Sequence, residues 1–351
     1  MKTVVVGCSK AYPVMIGAGL LSEVGERCRE MLSGKKCYLV SDSHVAPLYS
    51  DAVCKSLSEA GFVISGVSVV QAGEASKNFR ELGKMLETMA EAGLTREDTV
   101  FALGGGVVGD LAGLAAALCL RGIGLVQLPT SLLAMVDSSI GGKTAVDLSA
   151  GKNLAGAFYQ PTAVFCDTNA LGTLPEEFLK DGLGEVAKYA LLTGDPLWSL
   201  LQGGLKENIE EIIFRCVDTK RRFVEEDEFD RGRRQFLNLG HTVGHAVEAL
   251  SGYTVSHGKA VAIGTLAAAR LAYAESICGK ELPEQVGALL ETLGLNAECP
   301  FAAEALVTPI LHDKKRTDGN VRFVLPKRIG KCVVKDIPEK ELLSFLKRGG
   351  I

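Results

Sequence analysis

Up to about residue 170 the chain alternates short β-branched runs with segments whose apolar residues recur at helical spacing. This alternation restricts the fold more than any other feature. CYLVSD (37–42), FVISGVSVV (62–70), TVFALGGG (99–106), GLVQLPTS (124–131) and AVFCD (163–167) read as strands. Strand, helix and strand in repetition predict a mostly parallel sheet with helices on its faces. Ligands of such sheets sit at the carboxyl ends of the strands. The N-terminal MKTVVVGCSK has too short an apolar run for a signal peptide and reads as a first strand.

After Pro175 the pattern changes. Helical periodicity dominates at 175–192, 205–226, 233–251 and 258–278, with shorter helices to the C-terminus. One strand-like piece, VRFVLP (321–326), interrupts them. The expectation is an α/β nucleotide-binding domain over 1–170 and a mainly α-helical domain over 171–351, with the functional cleft between them.

Bulk properties exclude several classes of partner. Apolar residues make up 47% of the 351 and charged residues 23%, which suits a globular protein with a full core. A net charge of −4 offers no basic footprint for nucleic acid or an anionic membrane. A small anionic substrate needs only a few local lysines and arginines. The ten cysteines are scattered from Cys8 to Cys332 without a CxxC pair, as expected of inert thiols in a reducing compartment. The most apolar window, LAGLAAALCL (111–120), is about half the length that crosses a bilayer. A soluble, cytoplasmic protein is expected.

ALGGGVVGD (102–110) follows a strand and opens a helix. Its glycines let the backbone approach a ligand, and the N–H groups of a helix start suit a pyrophosphate. The spacing is neither GxGxxG nor a Walker sequence, so the residues alone leave a phosphate cradle and a tight turn equally open. GEASKN (73–78) is weaker, since Glu74 and Lys77 also read as a solvated helix start.

Three of the five histidines crowd into LNLGHTVGHAVEALSGYTVSHG (237–258). On one helix over 233–251, the 4, 3, 4 spacing of Arg234, Asn238, His241 and His245 puts them in a strip about 60° wide. Phe236, Leu239, Val243, Val247 and Leu250 gather on the other side. The strip carries groups that bind anions, donate paired hydrogen bonds and ligate metals, unlike an ordinary solvated face. The zinc-peptidase pattern HExxH is excluded, because Thr242 follows His241. His257 opens the next helix after a glycine-containing turn. Two histidines and one carboxylate make a three-ligand site with an open position. GLGEVAKYALL (182–192) offers Glu185, with Lys188 three residues on. On a largely buried helix that pair is costly without a task.

LPTSLLAMVDSSIGGKTAVDLSAGKNLAGAFYQP (128–161) is neither a clean helix nor a clean strand. Long irregular segments in compact domains are usually functional, and this one carries Asp137, Lys143, Lys152 and Asn153. Leu132, Leu133, Met135 and Phe158 argue against a flexible linker. Arg121 ends a helix that is expected to lie close to the same loops.

Taken together, GGGVVGD, LPTSLLAMVDSSIGGKTAVD…GKN, GEVAKYALL, RRQFLNLGHTVGHAVEA, HGKAVAIG and HDKK resemble the 3-dehydroquinate synthase family, in the sugar-phosphate cyclase superfamily. The resemblance runs from about residue 36 almost to the C-terminus. It implies that Glu185, His241 and His257 hold zinc, with cobalt suited to the same ligands. It implies NAD on Gly105, Gly106 and Asp110, surrounded by Asp42, Glu74, Lys77, Thr130, Ser131, Asp137, Lys143 and Lys152. Substrate would be held by Arg121, Lys143, Asn153, Lys188, Lys220, Arg234, Asn238, His245 and a lysine of HDKK. Lys314 is favoured there over the adjacent Lys315. His245 would then serve the substrate phosphate or the proton traffic near it rather than the metal.

The implied reaction converts 3-deoxy-D-arabino-heptulosonate 7-phosphate to 3-dehydroquinate and phosphate, a shikimate-pathway step leading to aromatic amino acids, with NAD recycled in each turnover. A homodimer is also implied. Two positions depart from the family's usual pattern: Lys259 stands where a glutamate is usual, and AGE replaces DGE at Ala72. Three rival readings remain. One is a valiolone- or inosose-type cyclase, another a metal-dependent polyol dehydrogenase that accumulates NADH. The third, a zinc-stapled NAD-binding module, predicts a closed four-ligand site.

Overall fold

The β-branched runs of the first half form strands, and alternate residues along them feed two separate cores. In chain order the first half runs β1 (Lys2–Val6), β2 (Tyr12–Gly17), α1 (Leu20–Cys28), β3 (Lys36–Asp42), α2 (Ala46–Glu59) and β4 (Val63–Val70). It continues through α3 (Phe79–Glu91), β5 (Thr99–Gly104), α4 (Gly106–Leu118) and β6 (Gly124–Pro129). A hairpin, β7 (Lys143–Leu148) and β8 (Gly151–Phe158), precedes β9 (Ala163–Asp167). Seven strands make one sheet in the order β1-β2-β9-β6-β5-β3-β4, parallel throughout except where β1 meets β2.

Phe101 and Leu103 of β5 pack with α1 and α2 on one face. Val100 and Ala102 pack with α3 and α4 on the other. The segment expected to be irregular therefore contains a regular element: the β7–β8 hairpin lies against α4 and places Val146 in that second core.

Residues 1–205, 207–312, 316, 317 and 319–351 are described by this computed structural model. They form two units, Met1–Pro175 with Lys220–Phe229, and Glu176–Thr219 with Asp230–Ile351. The sequence places one boundary near 170. The return of 220–229 to the first unit leaves no mark in the periodicity of 205–226. Among the described residues no helix is long and apolar enough to cross a membrane. All ten cysteines are free thiols, and burial pushes those of Cys28, Cys37 and Cys332 up to about 12.

The second half contains α5 (Glu176–Thr193), α6 (Leu197–Gln202), α7 (Ile209–Glu226), α8 (His241–Leu250), α9 (His257–Ala274), α10 (Glu281–Thr292) and α11 (Ala303–His312). A small antiparallel sheet follows, β10 (Arg316–Thr317), β11 (Asn320–Arg328) and β12 (Lys331–Pro338), and then α12 (Leu342–Arg348). The sequence shows only β11 of these strands clearly. Central to this unit is α9, apolar almost all round, as a helix buried on every side must be.

Two neighbours of α9 touch it through the backbone. A Cβ on Gly184 of α5 would stand 1.9 Å from the carbonyl oxygen of Gly258, and one on Gly258 only 1.6 Å from that of Asp181. A Cβ on Gly264 would stand 1.8 Å from the carbonyl oxygen of Gly240, just before α8. No side chain fits at these crossings. Gly258→Ala is therefore expected to lose roughly 3 kcal/mol of stability, the upper end of overpacking costs, because main chain must move to admit the methyl. The midpoint of urea unfolding measures it.

Candidate active site

The backbone contacts of α9 bring together the residues beside them. Glu185 follows Gly184, His257 precedes Gly258, and His241 follows Gly240. Glu185 is completely buried, and its Oε1 lies 3.3 Å from Nε2 of His241 and 3.1 Å from Nε2 of His257. Ligand atoms held about 2.0–2.1 Å from a tetrahedral cation stand roughly 3.3–3.4 Å apart, so this donor set fits such a cation. The other oxygen of Glu185 is ion-paired with Lys188, which is itself buried, but off the hydrogen-bonding direction.

The outer ring nitrogens are also taken. Nδ1 of His241 is 3.1 Å from the carbonyl oxygen of Leu239, and Nδ1 of His257 is 3.1 Å from Oε2 of Glu248. Both rings thus turn Nε2 toward Glu185. Burial disfavours the charged form of Glu185, yet Lys188 and the imidazoles outweigh it and hold its carboxyl well below the usual range. Burial lowers His241 to about 4, against the opposing pull of Glu185. It would lower His257 too, but hydrogen bonds to Glu185 and Glu248 prevail and raise that ring to about 10. Asp181 caps the start of α9, accepting from the N–H of Gly258 at 2.6 Å.

The continuous helix expected over 233–251 does not form. Arg233–Asn238 is a 3-10 segment, Leu239 leaves the helical region with ψ 127°, and Gly240 has φ +79° before α8 begins at His241. The close crossing with α9 requires that break, since a Cβ on Gly240 would meet Thr265 Oγ1 at 2.5 Å. Arg234, buried, and Asn238 therefore do not share a helical strip with the histidines. His241 and His245 do, with ring centroids 5.3 Å apart. Glu248 was missed by the sequence reading, although its spacing of three from His245 continues the strip.

In the first unit the carboxyl ends of adjacent strands carry most of the proposed nucleotide residues. Asp42 ends β3, the Glu74–Lys77 turn follows β4, Gly105 and Gly106 follow β5, and Thr130 and Ser131 follow β6. Asp42 accepts from the N–H groups of His44 and Val45. The first turn of α4 has no side-chain cap. Gly105 has φ −77°, and a Cβ there would meet nothing nearer than Ser131 Oγ at 3.5 Å. The fold itself does not demand glycine at 105, so the open space suits a phosphate lying against the helix start.

Nearby, Lys77 is buried and donates to Asp110 Oδ2 at 2.5 Å and to Oδ1 of Asn153, with Glu74 3.8 Å away. Burial raises Asp110 to about 6 despite Lys77, while burial lowers Lys77 but the charges of Asp110 and Glu74 prevail and raise it. The two shifts pull the pair in opposite senses. The short contact favours the ion pair at neutral pH. Lys220 donates to the backbone oxygen of Asp137 at 2.7 Å and reaches its carboxylate at 2.9 Å. Asp137 lies in a π-helical turn, Ala134–Ser138.

One proposed substrate residue falls elsewhere. Arg121 is not brought to this edge. The crossover helix α4 returns the chain to the amino ends of the strands, where Gly124 pairs with Thr99. Arg121 is exposed there, about 20 Å from the glycine loop along the 13-residue α4. Lys143 is exposed opposite Phe158 at one end of the β7–β8 hairpin, whereas Lys152 and Asn153 are near its turn. Lys314 and Lys315 lie outside the described residues.

Residues 67–181 match the family model described as 3-dehydroquinate synthase N-terminal, and residues 182–316 the one described as 3-dehydroquinate synthase C-terminal. A 3-dehydroquinate synthase of Desulforamulus reducens is 42% identical over 349 residues, covering 96% of this chain and 97% of that protein. Among solved structures, 2-deoxy-scyllo-inosose synthase complexed with carbaglucose-6-phosphate, NAD+ and Co2+ superposes with a TM-score of 0.88 at 25% identity, covering 99% of this chain and 100% of that one. The 2-epi-5-epi-valiolone synthase of Streptomyces hygroscopicus with NAD+ and Zn2+ bound gives 0.87 at 25% identity, covering 99% of each chain. With both family models matched in order and a relative this similar along nearly its whole length, the chain belongs to the 3-dehydroquinate synthase family.

Proposed function

We propose that the protein converts 3-deoxy-D-arabino-heptulosonate 7-phosphate to 3-dehydroquinate and inorganic phosphate, using NAD and a divalent metal. The match to 3-dehydroquinate synthases along nearly the whole chain carries this reading. The facing oxygen and two nitrogens of Glu185, His241 and His257 support its metal requirement. When bound, the metal supplies a positive charge that lowers the pKa of a coordinated substrate hydroxyl, and NAD supplies a hydride acceptor and returns the hydride later.

The chain's own residues do the remaining work. Glu185, His241 and His257 hold the cation, and the pairing of Lys188 with Glu185 limits the negative charge presented to it. Gly105, Gly106, Thr130 and Ser131 leave main chain open to the nucleotide's phosphates. Asp42, Glu74, Lys77, Asp110, Asp137 and Lys152 complete that site. Lys188, Arg234, Asn238 and His245 bind and orient the substrate's anionic groups, with His245 holding a proton at its imidazole for the leaving phosphate. Lys143, Asn153 and Lys220 are further substrate contacts of the first unit. Arg121 is left out, because its position within the first unit puts it at the other end of the sheet.

The test mixes protein, NAD, Zn2+ and the heptulosonate phosphate, then follows inorganic phosphate and NADH absorbance together. Stoichiometric phosphate with only trace NADH is expected. Steady accumulation of NADH would identify a dehydrogenase instead, and turnover only with a hexose or sedoheptulose phosphate would identify another cyclase. Glu185→Gln is expected to cut turnover roughly 10²-fold or more, since it removes the anionic ligand and leaves two neutral donors. Lys259→Glu is expected to leave turnover within about threefold, because the Lys259 side chain is exposed and solvent screens its charge.

A further inference from the structure

We infer that Glu248 is a positioning residue for the metal site, acting through His257 and never as a ligand; this rests on the metal-binding reading above. Glu248 is 5% exposed and sits in the last turn of α8, among Ala246, Val247 and Ala249. A buried carboxylate is costly, and the partial negative charge of a helix C-terminus makes it more so. Such a group needs a compensating partner, and Nδ1 of His257 provides one at 3.1 Å.

The two nitrogens of an imidazole point to opposite edges of the ring. Nε2 of His257 faces Glu185 at 3.1 Å, so a carboxylate on the Nδ1 edge cannot bind the same cation. What it does is hold the Nδ1 proton, fix the ring's rotation and leave the Nε2 lone pair for the metal.

The other histidine is secured differently. His241 directs Nδ1 to a backbone oxygen, and its side chain is 13% exposed against 31% for His257. Packing holds His241 in place more fully. His257 opens a helix and is freer to swing, so its orientation depends on the hydrogen bond it donates to Glu248. The sequence places Glu248 on the same α8 strip as His241 and His245, seven and three residues on, which lets one helix supply both a donor and the anchor for the next donor.

The experiment titrates the metal-free full-length protein with Zn2+ against a chromophoric chelator, and with Co2+ while its visible absorption is recorded. Glu248→Ala is expected to weaken zinc binding about 10- to 100-fold, with the isosteric Glu248→Gln between it and the parent, and both are expected to alter the Co2+ spectrum. A purely structural role would change the unfolding midpoint and leave affinity and spectrum alone. Circular dichroism establishes which variants fold; should the alanine variant not fold, the glutamine variant decides. A folded Glu248 variant that binds zinc within about threefold of the parent, with an unchanged Co2+ spectrum, overturns the inference alone. If instead the parent binds no zinc, or Glu185→Gln binds it equally well, the metal-site reading fails and the inference with it.

Discussion

Backbone meets backbone where α9 crosses α5 and the start of α8, and the proposed metal donors are the residues next to those crossings. Gly184 and Gly258 define one contact, Gly240 and Gly264 the other. Side chains at these points would separate the helices and carry Glu185 away from the two imidazoles. The donors thus owe their spacing to main-chain geometry, which is stiffer than any arrangement of rotamers. The same contacts bury Glu185 and Lys188 so deeply that each requires the other.

Charge is handled differently in the two units. In the second, Glu185 faces an ammonium and two imidazoles. In the first, Lys77 reaches both Asp110 on α4 and Asn153 beside the hairpin turn, so a single cation ties the hairpin to the glycine-loop helix. Ion pairs of this kind contribute little net stability once desolvation is counted. Their effect is to fix polar groups in one arrangement before any ligand arrives.

Much of the first unit was legible because β-branched runs separated by helical spacing have few alternative folds. The carboxyl ends of β3 to β6 then gather Asp42, Lys77, Gly105 and Ser131 with no further information. That Glu185, His241 and His257 come together was legible from residue type and from the family resemblance. Other features were not. The helical wheel carried Arg234 and Asn238 through Gly240, because periodicity registers side chains and cannot see a positive φ imposed by a neighbouring helix. Arg121 does lie beside the 128–161 segment, since Tyr159 donates to the carbonyl oxygen of nearby Ile123, but nearness to that segment does not say which end of the sheet it reaches. The hairpin at 143–158 was hidden by its small residues: Gly156 pairs with Ala145 and lies against the backbone of Thr144, an arrangement that only the folded chain reveals.

The glycine crossings also separate the framework of the second unit from its chemistry. Helix spacing is set by residues that carry no functional groups, and the functional groups project from positions that bear none of the helix-to-helix load at the crossing. The three proposed donor positions therefore behave as sockets. A thiolate installed in place of one imidazole would shift the preference toward softer ions while the helices kept their places. Evolution or a designer can retune what the site holds without rebuilding what holds it.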